Sequence, residues 1–213
     1  MLTLTWKLFD NIIVHIDIQE FDRAPGATIG SRLKIQDEYY DTLQEVVERY
    51  ITICNRQVRE VTQHPKFFPC KNISEVHAEL DKEKAEASSK IPYKFTMLPD
   101  YPHYIVLCYI PSKSFVREFI KVKPRGFLFH GQYHQPFQNL VTWFKSEFST
   151  QEYKTYLRSS YEPPKISAPQ PQHGAGNGHG GAHGSGSGNP SGRGPSSRYD
   201  NIYGQTAHGM QID

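Results

Sequence analysis

Thr3, Thr5 and Lys7 alternate with Leu2, Leu4, Trp6 and Leu8 at the start of the chain, and His15 follows in a second alternating run, HIDIQ. Strict alternation sends each polar set to one face of a strand. Hydroxyls, an ammonium group and a protonated imidazole on a shared face all donate hydrogen bonds to an oxyanion. A second cationic set stands in SFVREFIKVK, where Arg117, Lys121 and Lys123 share one face opposite Val116, Ile120 and Val122. Lys94 lies on an earlier strand-like run, Lys113 in the loop before, and Arg125 in a Pro-Arg-Gly turn just beyond. Cations converging on one face hold a phosphate by charge-assisted hydrogen bonds. A solvated strand face carries the same residue types, so the elements around them must decide.

Other chemistries find little support. His64, His77, His103, His130 and His134 are scattered, and no HExxH, GxSxG or phosphate-cradling glycine loop occurs between a strand and a helix. Catalysis is not expected, nor is a cofactor. Cys54, Cys70 and Cys108 are odd in number and lack CxxC spacing, which points to free thiols in a reducing compartment rather than disulfides or zinc. Asn72-Ile73-Ser74 fits a glycosylation sequon, read here as chance because no signal peptide precedes it. No apolar run approaches the ~20 residues that span a bilayer, so no membrane partner is expected.

The positioning elements follow from periodicity. Residues 2–9 and 12–19 form two β-rich runs split by Asp10-Asn11, an antiparallel hairpin with one buried face. After a polar loop, Asp41 is the expected N-cap of a helix whose stripe is Leu43, Val46, Val47, Tyr50 and Ile51, running to about Val61 before Pro65. Residues 74–88 read as a second helix capped by Ser74, with Val76, Ala78 and Leu80 as anchors. Strand-like runs follow at 93–98, 103–110, 114–123 and 127–133. Pro136 then opens a helix with Leu140, Trp143, Phe144 and Phe148 on one stripe.

From Pro163 onward the composition changes. This tail holds 12 of the 16 glycines and none of the 12 phenylalanines or two tryptophans. Without large apolar side chains it cannot offset the entropy of ordering, so 159–213 is expected to be disordered. Its His173, His179 and His183 read as solvated spacer. Three of the 24 Lys and Arg and two of the 22 Asp and Glu fall in the tail, which leaves the folding part near charge balance. Binding nucleic acid by bulk positive charge is therefore disfavoured.

The halves repeat. Ile16 and Ile18 align with Ile120 and Val122 at an offset of 104, and Leu43, Val46, Val47 and Ile51 with Leu140, Trp143, Phe144 and Phe148 at 97. Each copy is a hairpin, a loop with a further short strand, and a helix packed on the sheet. The second copy also has a helix and strand upstream, at 74–88 and 92–98. Equivalents are missing from the first, so Met1 is expected to fall inside a domain. In this register Lys121 lies opposite Asp17. Three cations along one strand span ~20 Å at ~3.3 Å per residue, so one phosphate cannot touch all of them.

Helix, antiparallel sheet and second helix in this order resemble the Src-homology-2 (SH2) domain. The segments LTLTWKL, VHIDIQE, VVERYI, IPYKFTM, KPRGFLFHGQ and LVTWFK resemble the tandem SH2 module of the suppressor-of-Ty-six family of transcription elongation factors. The resemblance implies an α+β fold of two SH2-like units, the first incomplete, divided as 1–62, a connector at 63–73, 74–158, and the tail 159–213. It places His15 where the family's fourth strand carries a phosphate-pocket histidine, with Thr3, Thr5 and Lys7 completing that pocket. If Asp17 marks the inner wall of this first pocket, as the resemblance implies, Lys121 is the expected direct phosphate contact of the second, with Arg117 or Lys123 as flank and Lys94 as partner from a neighbouring strand. The usual phosphate arginine belongs to a strand ahead of LTLTWKL, and YKFTML carries no arginine either. Asp17 stands where phosphotyrosine readers carry a cation, and a carboxylate beside a dianion costs Coulomb energy.

The resemblance further implies phosphoserine and phosphothreonine ligands in the linker before the C-terminal repeats of the RNA polymerase II largest subunit. It implies a nuclear protein whose parent is an elongation factor and histone chaperone, with histones or nucleosomes as partners of regions beyond this chain. One rival is an RNA-recognition domain, since Arg125-Gly126-Phe127-Leu128-Phe129 mimics its basic-glycine-aromatic signature in four of eight positions. The other is a fragment with no intact ligand site.

Overall fold

Alternating burial along the first two runs makes them a hairpin. In the computed structural model, which describes residues 2–159, Pro164 and Gln211–Ile212, β1 (Leu2–Phe9) pairs antiparallel with β2 (Ile12–Phe21). Ile12, Val14, Ile16 and Ile18 are buried, while Ile13, His15, Asp17 and Gln19 are exposed. β3 (Arg32–Ile35) and β4 (Glu38–Tyr40) complete a sheet ordered β1-β2-β3-β4.

One helical run closes this unit: α1 (Leu43–Val46), a π-turn at Val47–Ile51, and α2 (Thr52–Thr62). Its cap is Thr42 and not Asp41. The Thr42 hydroxyl accepts from the Glu45 amide at 3.1 Å, and the Glu45 carboxylate accepts from the Asp41 amide at 2.7 Å, a variant of the capping box whose return bond falls one residue before the cap. The expected stripe is also shifted. Leu43 and Val47 face solvent, and the buried set is Val46, Tyr50, Cys54, Val58 and Val61. Their spacing is mostly four residues, which drifts around a regular α-helix. A wider π-turn absorbs that drift and keeps the stripe on the sheet.

The second unit begins with α3 (Ile73–Glu86). Its cap is Asn72 and not Ser74: Asn72 Oδ1 accepts from the amides of Ser74 at 3.0 Å and Glu75 at 3.2 Å. The sequon asparagine is thus engaged in capping. Val76 and Leu80 are its buried residues, and Ala78 is exposed. The short β5 (Lys90–Ile91) leads to β6 (Tyr93–Met97), β7 (Tyr104–Tyr109), β8 (Val116–Lys123), β9 (Gly126–Phe129) and β10 (Gln132–His134), in a sheet ordered β10-β9-β8-β7-β6. Gly126 has φ 130°, and a Cβ there would meet the His134 carbonyl oxygen at 2.6 Å, so the β8–β9 turn needs glycine. α4 (Phe137–Glu147) follows, burying Phe137, Leu140, Val141 and Phe144, and α5 (Gln151–Ser159) ends the unit.

The units repeat in element order as the sequence pattern indicates, β1–β2 answering β7–β8 and α1–α2 answering α4. The residue alignment of the helices does not hold, since Leu43 and Val47 are exposed where Leu140 and Phe144 are buried. Among the described residues the first unit has no counterpart of α3 or β6. One apolar core runs through both sheets, and a smaller one fills the space between α3 and the β6–β7–β8 face. The connector is part of the structure, because Phe67 bridges in parallel to Phe95 and Phe68 donates to the Phe95 carbonyl at 2.8 Å. The expectation of a disordered tail falls largely outside the described residues. Of those described, Gln211–Ile212 form β11, which pairs in parallel with β5.

Candidate functional site: the polar face of the first hairpin

Cross-strand register gathers the first set of expected site residues. Thr3 stands opposite Asp17 and Thr5 opposite His15, while Lys7, opposite Ile13, lies two residues further along the same face. Thr3 Oγ1 donates to Asp17 Oδ1 at 3.3 Å, and Thr5 Oγ1 lies 3.2 Å from His15 Nδ1. With Nδ1 engaged by the hydroxyl, Nε2 is left to meet a ligand. All five side chains are solvent-accessible.

This face runs into a cleft of about 360 Å³ where β2 and β3 part beyond their short pairing at Gln19–Phe21 and Arg32–Lys34. His15, Asp17 and Gln19 line it from β2, and Lys34 and Gln36 from β3 and the turn after it, over a floor that includes Tyr50. Across the opening stands His103, from the turn before β7 of the second unit. Sequence reasoning left His103 among scattered histidines and passed over Lys34. Neither lies in a run with His15: the pairing of β2 with β3 brings Lys34 to it, and the packing of the two units brings His103.

The second set does not converge. Lys94 is on β6, two strands from β8, and its Nζ lies 2.5 Å from Glu83 of α3. It is thus no partner for Lys121, because α3 supplies a carboxylate and neutralises it. Arg117 sits opposite Cys108, on the part of the sheet that α3 covers. Phe119, which answers His15 in the repeat, packs with Tyr101 and Tyr104 at centroid distances of 4.6 and 5.9 Å. The place that holds an imidazole in the first unit is therefore aromatic in the second. Lys121 lies at the junction of the units, its Nζ 6.0 Å from the Tyr104 ring. Burial and then the neighbouring Lys123 push its pKa down, with Asp37 opposing them.

The RNA-recognition rival fails on burial. Phe127 and Phe129 are 0% and 1% exposed, packed on Phe137 and Trp143 at 5.0 and 5.6 Å, so they cannot stack bases. Among the described residues no group of three or more His, Cys, Asp or Glu is placed to hold a metal ion, and no helix is long and apolar enough to cross a membrane.

An unforeseen polar cluster lies inside the second unit. Glu118, on the apolar face of β8, is fully buried. It accepts from Tyr109 Oη at 2.7 Å and from Tyr153 Oη of α5, and it lies 2.5 Å from His130 Nε2. A charged residue in the apolar phase of Val116, Ile120 and Val122 was the available signal.

Comparison with known proteins gives the fold its relatives. A family model described as SH2 domain matches residues 1–147. The chain is 32% identical over 153 residues to a Drosophila melanogaster transcription elongation factor SPT6, which covers 69% of this chain and 8% of that protein. An Arabidopsis thaliana SPT6 homolog is 30% identical over 184 residues, 83% of this chain and 11% of that one. The chain thus spans about a tenth of the length of these relatives. Among solved structures it resembles a tandem SH2 domain of Spt6 that binds the phosphorylated RNA polymerase II C-terminal repeat domain. The TM-score there is 0.65 at 21% identity, covering 70% of this chain and 77% of that one. It also resembles the tandem SH2 domains of Antonospora locustae Spt6, with TM-score 0.56 at 19% identity, covering 67% and 73%. With two units of one repeat built around a shared core and the family model running across both, the chain belongs to the SH2 domain family, its two units folded like the tandem SH2 domains of Spt6.

Proposed function

We propose that this chain is a non-enzymatic reader of phosphoserine and phosphothreonine peptides, acting on the phosphorylated largest subunit of RNA polymerase II in the linker before its C-terminal repeats. The observation that carries the reading is the His15 face: an imidazole oriented by Thr5, flanked by Thr3 and Lys7, and opening on a cleft edged by Lys34. A phosphate dianion set there accepts from an imidazolium and an ammonium, and such charge-assisted bonds are about twice as strong as neutral ones. The Asp17 carboxylate stands beside the anion and repels it, so the cationic donors around it must outweigh that cost. Of the second-unit cations, Lys121 is assigned to the ligand, with Lys123 rather than Arg117 as its flank, because Arg117 lies on the part of the sheet that α3 covers; Lys94 is committed to Glu83.

The same reading divides the chain at 1–62, 63–73, 74–158 and 159–213. It makes the parent protein a nuclear elongation factor and histone chaperone, whose contacts with histones or nucleosomes belong to regions beyond this chain.

The test is a fluorescence-anisotropy titration with phosphoserine and phosphothreonine peptides and their unphosphorylated forms. The phosphorylated forms are expected to bind more tightly, with affinity falling as salt rises. His15→Ala is expected to cost about 1.5–3 kcal/mol, the range for hydrogen bonds to charged groups. Equal binding of both peptide forms would sink the reading.

A further inference from the structure

The cleft beside His15 takes its walls from both units. His15 and Asp17 stand on β2 and Lys34 on β3 of the first unit, while His103 belongs to the second. Lys121 of β8 and His15 both act on the His103 imidazole, whose pKa is lowered first by partial burial and then by these two neighbours. Asp37, in the β3–β4 turn, acts on Lys121 from the first unit, and Lys123 acts on it from the second. Tyr50 in the floor has its phenol pKa raised, chiefly by burial, and so stays neutral.

The charges around this cleft nearly cancel while the imidazoles are neutral. Lys34 and Lys121 oppose Asp17 and Asp37, and Lys123 stands behind Lys121. Each proton taken up by His15 or His103 therefore turns a balanced cleft into a cationic one.

We propose that this cleft is a composite anion site, in which a phosphate monoester of the bound peptide is gripped between His15 of the first unit and His103 of the second, and that protonation of the two imidazoles governs its occupancy. The inference rests on the phosphopeptide reading for its natural ligand, and on the cleft alone for the anion site. An anion held by imidazolium groups raises their pKa, so binding takes up protons and tightens as pH falls, by up to about tenfold per pH unit for each proton. A phosphate monoester itself gains a proton near pH ~6 and loses charge, which opposes the effect. Sulfate stays dianionic throughout and is the cleaner probe.

The experiment titrates sulfate into the full chain at constant ionic strength, at about pH 6 and about pH 8 on either side of the ordinary histidine range, following the histidine ring protons by NMR. The His15 and His103 signals are expected to shift saturably, with affinity about tenfold tighter at the lower pH. Both rings are solvent-accessible, so substitutions there leave the fold intact. His103→Gln, which keeps a donor without the charge, is expected to lose most of the pH difference. His77→Gln, on α3 with its ring 3.5 Å from Asp81, is expected to keep it. Equal affinity at both pH values, or His103→Gln behaving as the parent, overturns the inference even if a phosphoserine peptide binds elsewhere on the chain. A His103-dependent sulfate site from which a phosphoserine peptide fails to displace sulfate upholds the anion site and removes the phosphopeptide reading.

Discussion

Glu118 shows how far one side chain can depart from its strand's pattern. It is 0% exposed, yet it is surrounded by Tyr109, Tyr153 and His130 from β7, α5 and the β9–β10 turn. A buried carboxylate is tolerated only when its lone pairs are met, and these donors meet them. Removing one partner of such a group leaves the others buried and unpaired. Glu118→Leu is expected to cost about 3–5 kcal/mol, and Glu118→Gln, which keeps the shape and one acceptor, less; urea denaturation measures both. A second residue-scale prediction concerns acid. Burial, then Lys145 and Lys66, lower the His64 pKa, and burial, then His130, lower that of His134. A histidine whose folded pKa lies below its unfolded value contributes stability above the unfolded value, and this is lost as pH falls. Thermal stability is therefore expected to drop as pH falls below about 6.5. His64→Asn, which keeps an acceptor for the Lys66 amide now 3.1 Å from Nδ1, is expected to flatten the decline. An unchanged slope would exclude His64 as a contributor.

Among the elements, the two packing helices differ in how they meet their sheets. α4 is regular and buries Leu140 and Phe144 fully, so Leu140→Ala is expected to cost about 2–5 kcal/mol. The helix at 43–62 is phased by its π-turn, and Leu43 is 45% exposed. Leu43→Ala is accordingly expected to change stability by no more than about 0.5 kcal/mol, although both leucines occupy aligned positions of the repeat. Thermal melts of the two variants side by side decide the matter. Comparable losses would mean that Leu43 packs on its sheet after all.

For the whole molecule, the joint between units is made by buried polar and aromatic contacts. Gln57, fully buried on α2, donates to the Pro124 carbonyl at 3.3 Å, and the Glu60 carboxylate accepts from the Phe137 amide at 3.1 Å. His64 stands edge-on to Phe95 and Phe137 at 5.8 and 5.4 Å. Because the larger core includes residues of both sheets, the units are expected to unfold together. A single urea transition, coincident by tryptophan fluorescence and far-UV circular dichroism, is the expected result. Two separable transitions would show that the joint is weak. The same joint makes His103 a neighbour of His15.

Much of the architecture was legible in the chain itself. Period-two alternation gave β1, β2 and β8, a helical stripe with a preceding proline gave α4, and the offset repeat gave the tandem arrangement, because local backbone geometry sets those periods. That Thr3, Thr5, Lys7 and His15 lie on polar strand faces followed from the same alternation, but it is the register shift between Lys7 and Phe9 that sets Thr5 opposite His15. The cap residues and the phase of the helix at 43–62 were misread, since neighbouring Thr, Asp, Ser and Asn compete for one cap and a π-turn leaves no mark in a hydrophobic pattern. The fate of the cations was decided by tertiary structure alone. α3 brings Glu83 against Lys94, and the packing of the two units sets His103 in the cleft beside His15 and Asp37 near Lys121. Which charges face one another depends on how elements far apart in the chain pack, and spacing along one strand carries no record of that.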